Sequence, residues 1–301
     1  MVKKLTPEFP MEDLHMYVVM GGTGHVGSGV ASTLLARGER VGIVTHHAEY
    51  ASEWRQRGAE ILVADIRKPA SLRAAFKQGR RAFVLNPPAD TSLDTDIVER
   101  QTIANILEAL EESGLEKVVA ASTGGAQAGD RIGDLNVLWE LEQGLGRLSI
   151  PAAVQRGAYY MSNWFAQIDA VRQTGQLHSM IPADMAIPMV APRDLGKYAA
   201  ERLLSSVGDV VLRHVEGPQR YSPRDVAQSL SQMLGRPVEV VVTPRAQLEE
   251  AFRALGFSAA AAGSYARMTR LSIGNGFAMP DDSVRGDTSF DKYLHSAFAR
   301  A

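Results

Sequence analysis

Three glycines recur at intervals of three residues where an apolar run meets a helical pattern near the start of the chain. They are Gly21, Gly24 and Gly27 in the stretch VVMGGTGHVGSG. Backbone N–H groups at a helix N-terminus attract a diphosphate, and glycine has no side chain to hold the phosphate away. The pattern therefore predicts a dinucleotide site at the first strand–helix turn, and the alternative is a turn that binds no ligand.

The residues after the second predicted strand bear on which dinucleotide is preferred. Many NAD-binding proteins carry a carboxylate there for the ribose 2′-hydroxyl. This chain has His46 at that position, and His25 lies inside the glycine loop. Protonated imidazoles can donate hydrogen bonds to a 2′-phosphate, although two polar surface histidines fit the sequence equally well. The sequence slightly favours NADP(H) and leaves NAD(H) possible.

Further cofactor contacts are expected after the other strands, because ligands of open α/β sheets bind at the carboxyl ends of the strands. Asp65, which ends the third strand, can accept a hydrogen bond from an adenine amino group or can cap the next helix. The predicted cofactor-binding residues are Gly21, Thr23, Gly24, His25, Val26, Gly27, His46, Asp65, Ile66, Asn86, Pro87, Pro88, Ser122, Gly157, Ala158 and Tyr159.

The usual proton donor of carbonyl reductases with this kind of site is missing from the sequence. In those enzymes a Tyr-x-x-x-Lys pair lies on one helix face, and the lysine lowers the pKa of the tyrosine. No tyrosine in this chain is followed by a lysine four residues later. An ordinary carbonyl–alcohol reductase is therefore disfavoured, and no residue is assigned as catalytic.

Four residues are candidates for a substrate site: Ser122, Thr123, Tyr159 and Tyr160. The Ser122 hydroxyl can donate a hydrogen bond to a substrate or to nicotinamide, but no general base stands beside it in the sequence. Together with Trp164 and Phe165, the two tyrosines can form an aromatic wall against a flat acceptor. Core packing of the same aromatic rings is the alternative.

The composition excludes several kinds of chemistry. The 301 residues include no cysteine, so disulfides, thiolate catalysis and cysteine-ligated zinc are ruled out. The seven histidines have no metal-ligand spacing, and we expect no metal site. A net charge of −2, from 34 acidic and 32 basic side chains, argues against a direct nucleic-acid partner. Without an apolar segment of spanning length or a secretory leader, we expect a cytoplasmic protein that does not enter a membrane.

Short apolar runs alternate with helical patterns through the first half of the chain, which predicts a parallel sheet covered on both faces. The expected fold is α/β: a Rossmann doubly wound parallel sheet with helices on both faces and a smaller C-terminal α/β lobe. The expected strands are residues 16–21, 40–45, 59–65, 81–88, 116–123 and 150–157, and the expected helices include 27–37, 69–77 and 97–112.

The domain organisation is expected to follow this change of pattern. Residues 1–13 are predicted to be an extension outside the fold, and residues 14–157 to form the NAD(P)-binding core. Residues 158–301 are predicted to form the smaller substrate or partner lobe, with segments near 186–215 completing the edge of the sheet. In that lobe Ser222, followed by a proline, is a predicted helix N-cap.

The order of these motifs resembles the NmrA-like family of atypical short-chain dehydrogenase/reductases. The resemblance runs from VVMGGTGHVGSGVASTLLARGERV through ANILEALEESGLEKVVAAST and ELEQGLGRLSIPAAVQRGAYYMSNW to VEGPQRYSPRDVAQSLSQMLGRPVEVV. It implies a Rossmann core that binds NAD(P) and a smaller lobe that closes a cleft. The missing Tyr–Lys pair is in keeping with this family. Members often have arginine at the position of His46 and proline at that of Gly157, so the chain departs from the pattern at both places.

The resemblance implies two possible functions. Some members are NAD(P)H-dependent quinone or azo-dye reductases, which implies hydride transfer directly to a small-molecule acceptor without a Tyr–Lys acid. Others are non-enzymatic regulators that sense the nicotinamide pool through contacts with a protein partner. The reductase is the favoured interpretation, the sensing regulator is the alternative, and a cofactor-binding protein with neither role is the third. No oligomeric state is predicted.

Overall fold

The computed structural model describes residues 16–298, so the predicted extension over residues 1–13 lies outside the described residues. The strands in this part of the chain are β1 (Tyr17–Met20), β2 (Val41–Thr45), β3 (Glu60–Val63), β4 (Arg81–Val84), β5 (Lys117–Thr123), β6 (Ala152–Gly157), β7 (Tyr159–Tyr160), β8 (Gln176–Ser179), β9 (Ile187–Val190), β10 (Arg213–Glu216), β11 (Arg220–Tyr221), β12 (Glu239–Val242) and β13 (Val284–Arg285). The helices there are α1 (His25–Ala36), α2 (Ser52–Gln56), α3 (Pro69–Phe76), α4 (Thr95–Leu110), α5 (Asp134–Leu145), α6 (Ile168–Thr174), α7 (Pro192–Leu204), α8 (Pro223–Leu234), α9 (Leu248–Ala254), α10 (Ala259–Gly274) and α11 (Phe290–Phe298), with 3₁₀ turns at Ala48–Ala51, Met161–Gln167 and Arg245–Gln247.

Within residues 16–298 the central sheet has eight strands in the order β3-β2-β1-β4-β5-β6-β10-β13. Every neighbouring pair in it is parallel. The first six strands follow the order 3-2-1-4-5-6 of a Rossmann sheet, in which the direction of strand addition reverses between β1 and β4. The predicted doubly wound α/β fold is confirmed, and the strand order places a ligand crevice at the carboxyl ends of these two strands.

Side chains alternate between the two faces of the central sheet, and each face carries its own apolar core. Val19 and Phe83 point to the face covered by α1 and α7, where they join Leu34. Val18 and Val84 point to the face covered by α3, α4 and α5. Because both faces are buried, the strands are continuously apolar, and this made their positions readable from the sequence.

Two small sheets in the described second half form the lobe beside the central sheet. One has the order β11-β9-β7 and the other pairs β12 with β8. Of the segments near 186–215, Arg213–Glu216 lies in the central sheet between β6 and the edge strand β13, whereas Ile187–Val190 belongs to the first small sheet. The N-cap predicted at Ser222 is confirmed: its hydroxyl accepts a hydrogen bond from the Asp225 N–H, and the Asp225 carboxylate accepts one from the Ser222 N–H.

Helix α7, from the second half of the chain, packs directly on α1 of the first half. At the crossing a β-carbon on Gly196 would lie 2.5 Å from the Val26 carbonyl oxygen and 2.6 Å from Gly29 Cα. Two helix backbones approach this closely only when glycine occupies the contact. A boundary between domains after residue 157 remains a prediction, and α7 and β10 join the central sheet from beyond it.

We predict that Gly196→Ala lowers the free energy of unfolding by about 1–3 kcal/mol, because the added methyl group forces α7 away from α1. Gly263→Ala is a matched control, since Gly263 also lies inside a helix but a β-carbon there would meet only the flexible end of Arg267, at 3.4 Å. That substitution should be neutral or stabilise the protein by up to about 1 kcal/mol. Urea denaturation of both variants measures the difference, and equal stability would contradict the close crossing.

Candidate functional site

The glycine loop lies between β1 and α1, beside the point where the strand order reverses. Gly21 has a φ of +62°, and its carbonyl oxygen accepts a hydrogen bond from the Gly24 N–H at 2.8 Å. A β-carbon on Gly27 would lie 2.5 Å from the Gly21 carbonyl carbon, and one on Gly22 would lie 2.7 Å from Ile43 Cγ2. The loop is thus a fixed turn on which α1 packs directly. Gly22, which was not among the predicted site residues, is needed for the packing of this turn against Ile43 of β2.

The N-terminus of α1 has no group of its own that neutralises it. Gly24 is the N-cap and provides no side-chain hydrogen bond, and the first turn contains no acidic residue. The first N–H groups of a helix lack partners inside the helix and carry the positive end of its dipole. Thr23, Gly24 and His25 are exposed there, whereas Val26 and Gly27 are buried beneath them. This end of α1 is chemically suited to hold a diphosphate.

The ends of β2 and β3 form the part of the edge predicted for the adenosine. His46 is exposed, and Asp65 lies close enough for a charge on that imidazole to act on its carboxylate. Arg67 holds the carboxylate with two side-chain hydrogen bonds, at 3.0 and 3.1 Å, and donates its backbone N–H as well. These bonds lower the pKa of Asp65 to about 2, so the group is an anion at neutral pH. The alternative interpretation as a helix cap is wrong, because Lys68 is the N-cap of α3.

The loop after β4 begins earlier than the sequence predicted. The strand ends at Val84 rather than continuing to residue 88. Pro87 and Pro88 could not have extended the ladder, because neither has an N–H group. Asn86, Pro87 and Pro88 are therefore free of the sheet at its carboxyl edge. Ile66, in the neighbouring loop after β3, packs on the core and holds Asn105 through its carbonyl oxygen.

Ser122 is bound to an acid that the sequence analysis missed. Its hydroxyl donates to Glu142 Oε1 at 2.5 Å, and Arg156 donates to both Glu142 oxygens at 2.8 and 2.6 Å. Ser122 is 3% exposed, and the three side chains join β5, β6 and α5. The Ser122 proton is therefore engaged inside the fold. A charged residue on the buried face of an apolar helix was the signal in the sequence that could have revealed Glu142.

The predicted aromatic residues divide between two environments. Between ring centroids, Tyr159 lies 5.9 Å from Trp164, and Phe165 lies 5.2 Å from Tyr293. Burial raises the pKa of Tyr159 and of Tyr160 to about 12 each, so both hydroxyls remain protonated at neutral pH. Trp164 belongs to the apolar core of the smaller lobe, and Tyr159 and Phe165 both pack against that core, whereas Tyr160 packs against the core beneath α1 and α7. Core packing therefore accounts for all four rings.

The loop after β6 carries the remaining predicted residues. Gly157 ends the strand, and a β-carbon there would lie 3.1 Å from Leu195 and 3.2 Å from the Tyr160 ring. The Gly157 carbonyl oxygen accepts a hydrogen bond from the N–H of Gly124, the first residue after β5. Ala158 is buried beside them. Tight packing between the loops after β5 and β6 accounts for glycine at position 157.

A group of acidic residues near the carboxyl end of β4 was not predicted. Glu99 on α4 is 3% exposed, and its Oε1 accepts a hydrogen bond from the Ala89 N–H at 3.1 Å. Burial and the negative charge of Asp134 raise the pKa of Glu99 to about 7. Burial and the charge of Asp96 raise the pKa of Asp134 to about 6. The structure therefore places one carboxyl group that titrates near neutral pH, that of Glu99, behind the loop that contains Asn86, Pro87 and Pro88.

Residues 16–298 contain neither a membrane-spanning helix nor a group of side chains arranged to bind a metal ion. No helix in this range is long and apolar enough to cross a membrane. No group of three or more histidine, aspartate or glutamate side chains in the same range has the arrangement of a metal site. The candidate site is the carboxyl edge of the central sheet, because the uncapped N-terminus of α1 lies there beside the point where the strand order reverses.

Comparison with known proteins places the chain among dinucleotide-fold proteins. It matches the model of the NmrA-like family over residues 15–272. An NAD(P)H azoreductase of Xenophilus azovorans is 25% identical over 286 residues, which cover 95% of this chain and 97% of that protein. The nitrogen metabolite regulation-like protein bik4 of Gibberella fujikuroi is 27% identical over 214 residues, which cover 65% of this chain and 63% of that protein.

Solved structures share the whole architecture at low sequence identity. The NADPH-dependent quinone oxidoreductase QOR2 of Escherichia coli, crystallised with NADPH, superposes with a TM-score of 0.78 and 16% identity over 94% of this chain and 99% of that one. Such identity establishes a common fold. Because the family model extends from the first strand into α10, and the motif order agrees with it, this chain belongs to the NmrA-like family.

Proposed function

We propose that this chain is an NAD(P)H-dependent oxidoreductase that passes hydride directly to a small, flat acceptor of the azo or quinone type. The observation that carries the proposal is the uncapped N-terminus of α1 beside the reversal point of a Rossmann sheet. The azoreductase of Xenophilus azovorans supports it, because that relative aligns along nearly the full length of both chains. The NADPH-bound fold neighbour supports the choice of cofactor.

Different residues at the carboxyl edge are proposed to contact different parts of the cofactor. The backbone of Gly21 to Val26 holds the diphosphate at the N-terminus of α1. His46 and Asp65 flank the adenosine, with His46 directed to a 2′-phosphate. Asn86–Pro88 and Ala158–Tyr159 border the nicotinamide. When it is bound there, the reduced dinucleotide supplies a hydride equivalent to an acceptor on the same edge.

The acceptor is proposed to lie against Tyr159 and Thr123, where the loops after β5 and β6 meet. The Tyr159 ring offers a flat apolar face, and its hydroxyl stays protonated at neutral pH. Thr123 adds a hydroxyl at the end of β5. Ser122 supports this wall from behind through Glu142 and Arg156. The chain thus orients a planar acceptor by stacking and by hydrogen bonds.

An enzyme and a sensor are distinguished by turnover. Oxidation of NADPH in the presence of an azo dye or a quinone, followed by absorbance, is expected to exceed the rate without acceptor. Tight NADPH binding with no such oxidation across both acceptor classes would favour the sensing regulator. The fungal regulation-like relative aligns with a smaller part of this chain than the azoreductase does.

We predict that Gly24→Ala weakens NADPH binding by about tenfold or more, because its methyl group projects where the diphosphate would lie. The folded protein should tolerate the change, since a β-carbon on Gly24 meets only the Gly21 carbonyl oxygen, at 3.3 Å. Gly208→Ala is the control, because nothing lies within 4 Å of that position. Fluorescence titration with NADPH measures both, and equal affinity in the two variants would contradict the proposed diphosphate site.

His46 tests the preference between the two dinucleotides. We predict that the wild-type protein binds NADPH more tightly than NADH, and that His46→Asp reduces this ratio by about tenfold, because a carboxylate repels a 2′-phosphate and accepts from a 2′-hydroxyl. His178→Asp makes the same change of charge on β8 in the smaller lobe and should leave the ratio as it is. Calorimetric titration gives both affinities, and a wild-type preference for NADH would contradict the assignment of His46.

A further inference from the structure

Three acidic residues lie behind the loop after β4, where α4 contacts both α5 and α10, and we call this group of residues the acidic chamber. Asp96 and Glu99 lie one turn apart on α4, and Asp134 is the first residue of α5. The Ala89 N–H donates to Glu99 Oε1 at 3.1 Å, and Ala89 directly follows Asn86–Pro88. Glu99 therefore reaches the loop that we assign to the nicotinamide end of the site.

Helix α10 of the smaller lobe closes this chamber. At the start of α10, the Ser258 N–H donates a hydrogen bond to the Thr91 carbonyl oxygen at 2.8 Å. The Ser258 hydroxyl donates a second one to the Leu93 carbonyl oxygen at 2.6 Å. Six residues further along α10, the Ser264 hydroxyl accepts a hydrogen bond from the Gly133 N–H at 2.9 Å. Burial, together with the negative charges of the three carboxylates, raises the pKa of the hydroxyl of the next residue, Tyr265. Helix α10 is thus anchored beside the N-termini of α4 and α5, the two helices that carry the carboxylates.

Polar atoms around the chamber lack hydrogen-bond partners among the described residues. Both carboxylate oxygens of Asp96, which is 0% exposed, have none, and neither does the Thr95 hydroxyl at 1%. The same holds for Asn136 Nδ2, also 0% exposed, and for Asn86 Oδ1. Buried polar groups in folded proteins are nearly always satisfied by protein, water or ligand. These unsatisfied donors and acceptors lie on α4, on α5 and in the loop after β4, where water or a bound molecule can supply the missing hydrogen bonds.

The cations nearest to the chamber are already committed to other groups. Arg131 is paired with Asp94 at 3.0 Å, and Arg100 holds Glu140 at 3.0 Å while its Nη1 lies 3.9 Å from Asp96. Carboxylates that share a buried space with so little compensating charge do not all ionise. One of them then retains a proton at neutral pH, which is the state that a general acid requires.

We propose that Glu99 is the catalytic acid of this enzyme and delivers the proton that the missing Tyr–Lys pair delivers elsewhere. The inference rests on the proposed reductase function. With an azo acceptor, hydride from the reduced dinucleotide forms one N–H bond as the N=N π bond breaks, and the dinucleotide is oxidised. The Glu99 O–H bond breaks and its proton forms the second N–H bond, which gives a hydrazine. Glu99 then takes up one proton from bulk solution, so the overall reduction consumes one reduced dinucleotide and one proton.

The test compares two acceptors that differ in their need for a proton. An azo dye requires hydride and a proton, whereas a triarylmethyl cation requires only hydride. We predict that Glu99→Gln lowers the ratio of kcat for the azo dye to kcat for the cation by about 10²-fold, within the usual range for removal of a general acid. The amide oxygen of glutamine still accepts from the Ala89 N–H, so the loop keeps its anchor. Glu108→Gln, an exposed site on the same helix, is the control and should leave the ratio as it is.

The pH dependence gives a second, independent readout. Activity with the azo dye should fall as pH rises through about 7, because Glu99 loses its proton there. The negative charge of Asp134 raises the pKa of Glu99, so Asp134→Asn should move this alkaline limb to lower pH. Infrared difference spectra should contain a protonated carboxyl band that titrates near the same pH and is missing in Glu99→Gln.

The possible outcomes separate this proposal from the one on which it rests. If wild-type protein reduces neither acceptor, the reductase function fails, and the acid fails with it. If the wild type reduces both acceptors and Glu99→Gln lowers the two rates equally, Glu99 has only a structural role and the proposal is overturned. An alkaline limb that stays in place in Asp134→Asn overturns it as well.

Discussion

The packing of α1 against the turn after β1 is the constraint on which the rest of the site depends. Gly27 has no room for a β-carbon beside the Gly21 carbonyl group, so the helix begins directly over the end of the strand. This contact aims the N–H groups of the first turn at the crevice between β1 and β4. Since no side chain caps that turn, its positive end remains available to an anion. A bulkier residue at position 27 would displace the helix and the anion site together.

A second close contact joins the two halves of the chain to this centre. Gly196 of α7 packs against Gly29 of α1, so the second half is anchored at the same helix that begins the site. At the other end of α7, Lys117 donates to the Arg202 carbonyl oxygen at 2.7 Å, and Arg81 donates to the Ser205 carbonyl oxygen at 2.7 Å. Buried cations at a helix C-terminus oppose its dipole and satisfy its last carbonyls. Helix α7 is therefore held to the first half of the chain at both ends. The contact between α10 and the segment before α4 adds a second attachment of the smaller lobe.

Local patterns in the sequence predicted the parts of the molecule that local physics determines. Buried strands are continuously apolar, and the glycine loop is marked by its own spacing, so both were visible within about 30 residues. Contacts between distant segments left no such pattern. Ser122 and Glu142 are 20 residues apart and meet only because α5 lies on β5. Gly133 and Ser264 of the smaller lobe are 131 residues apart and share a hydrogen bond that no periodicity of the sequence reveals.

The chamber also explains in physical terms how this fold can manage without a Tyr–Lys pair. In that pair a positive charge lowers the pKa of a weak acid toward neutrality. In this chain the pKa of a stronger acid is raised toward neutrality instead. Burial and the nearby carboxylates raise the pKa of Glu99 to about 7. Either arrangement gives a group that holds a proton near neutral pH and can release it. Raising the pKa of a carboxyl group in this way requires no lysine on α5. That helix instead carries Glu142, which accepts hydrogen bonds from Ser122 of β5 and Arg156 of β6.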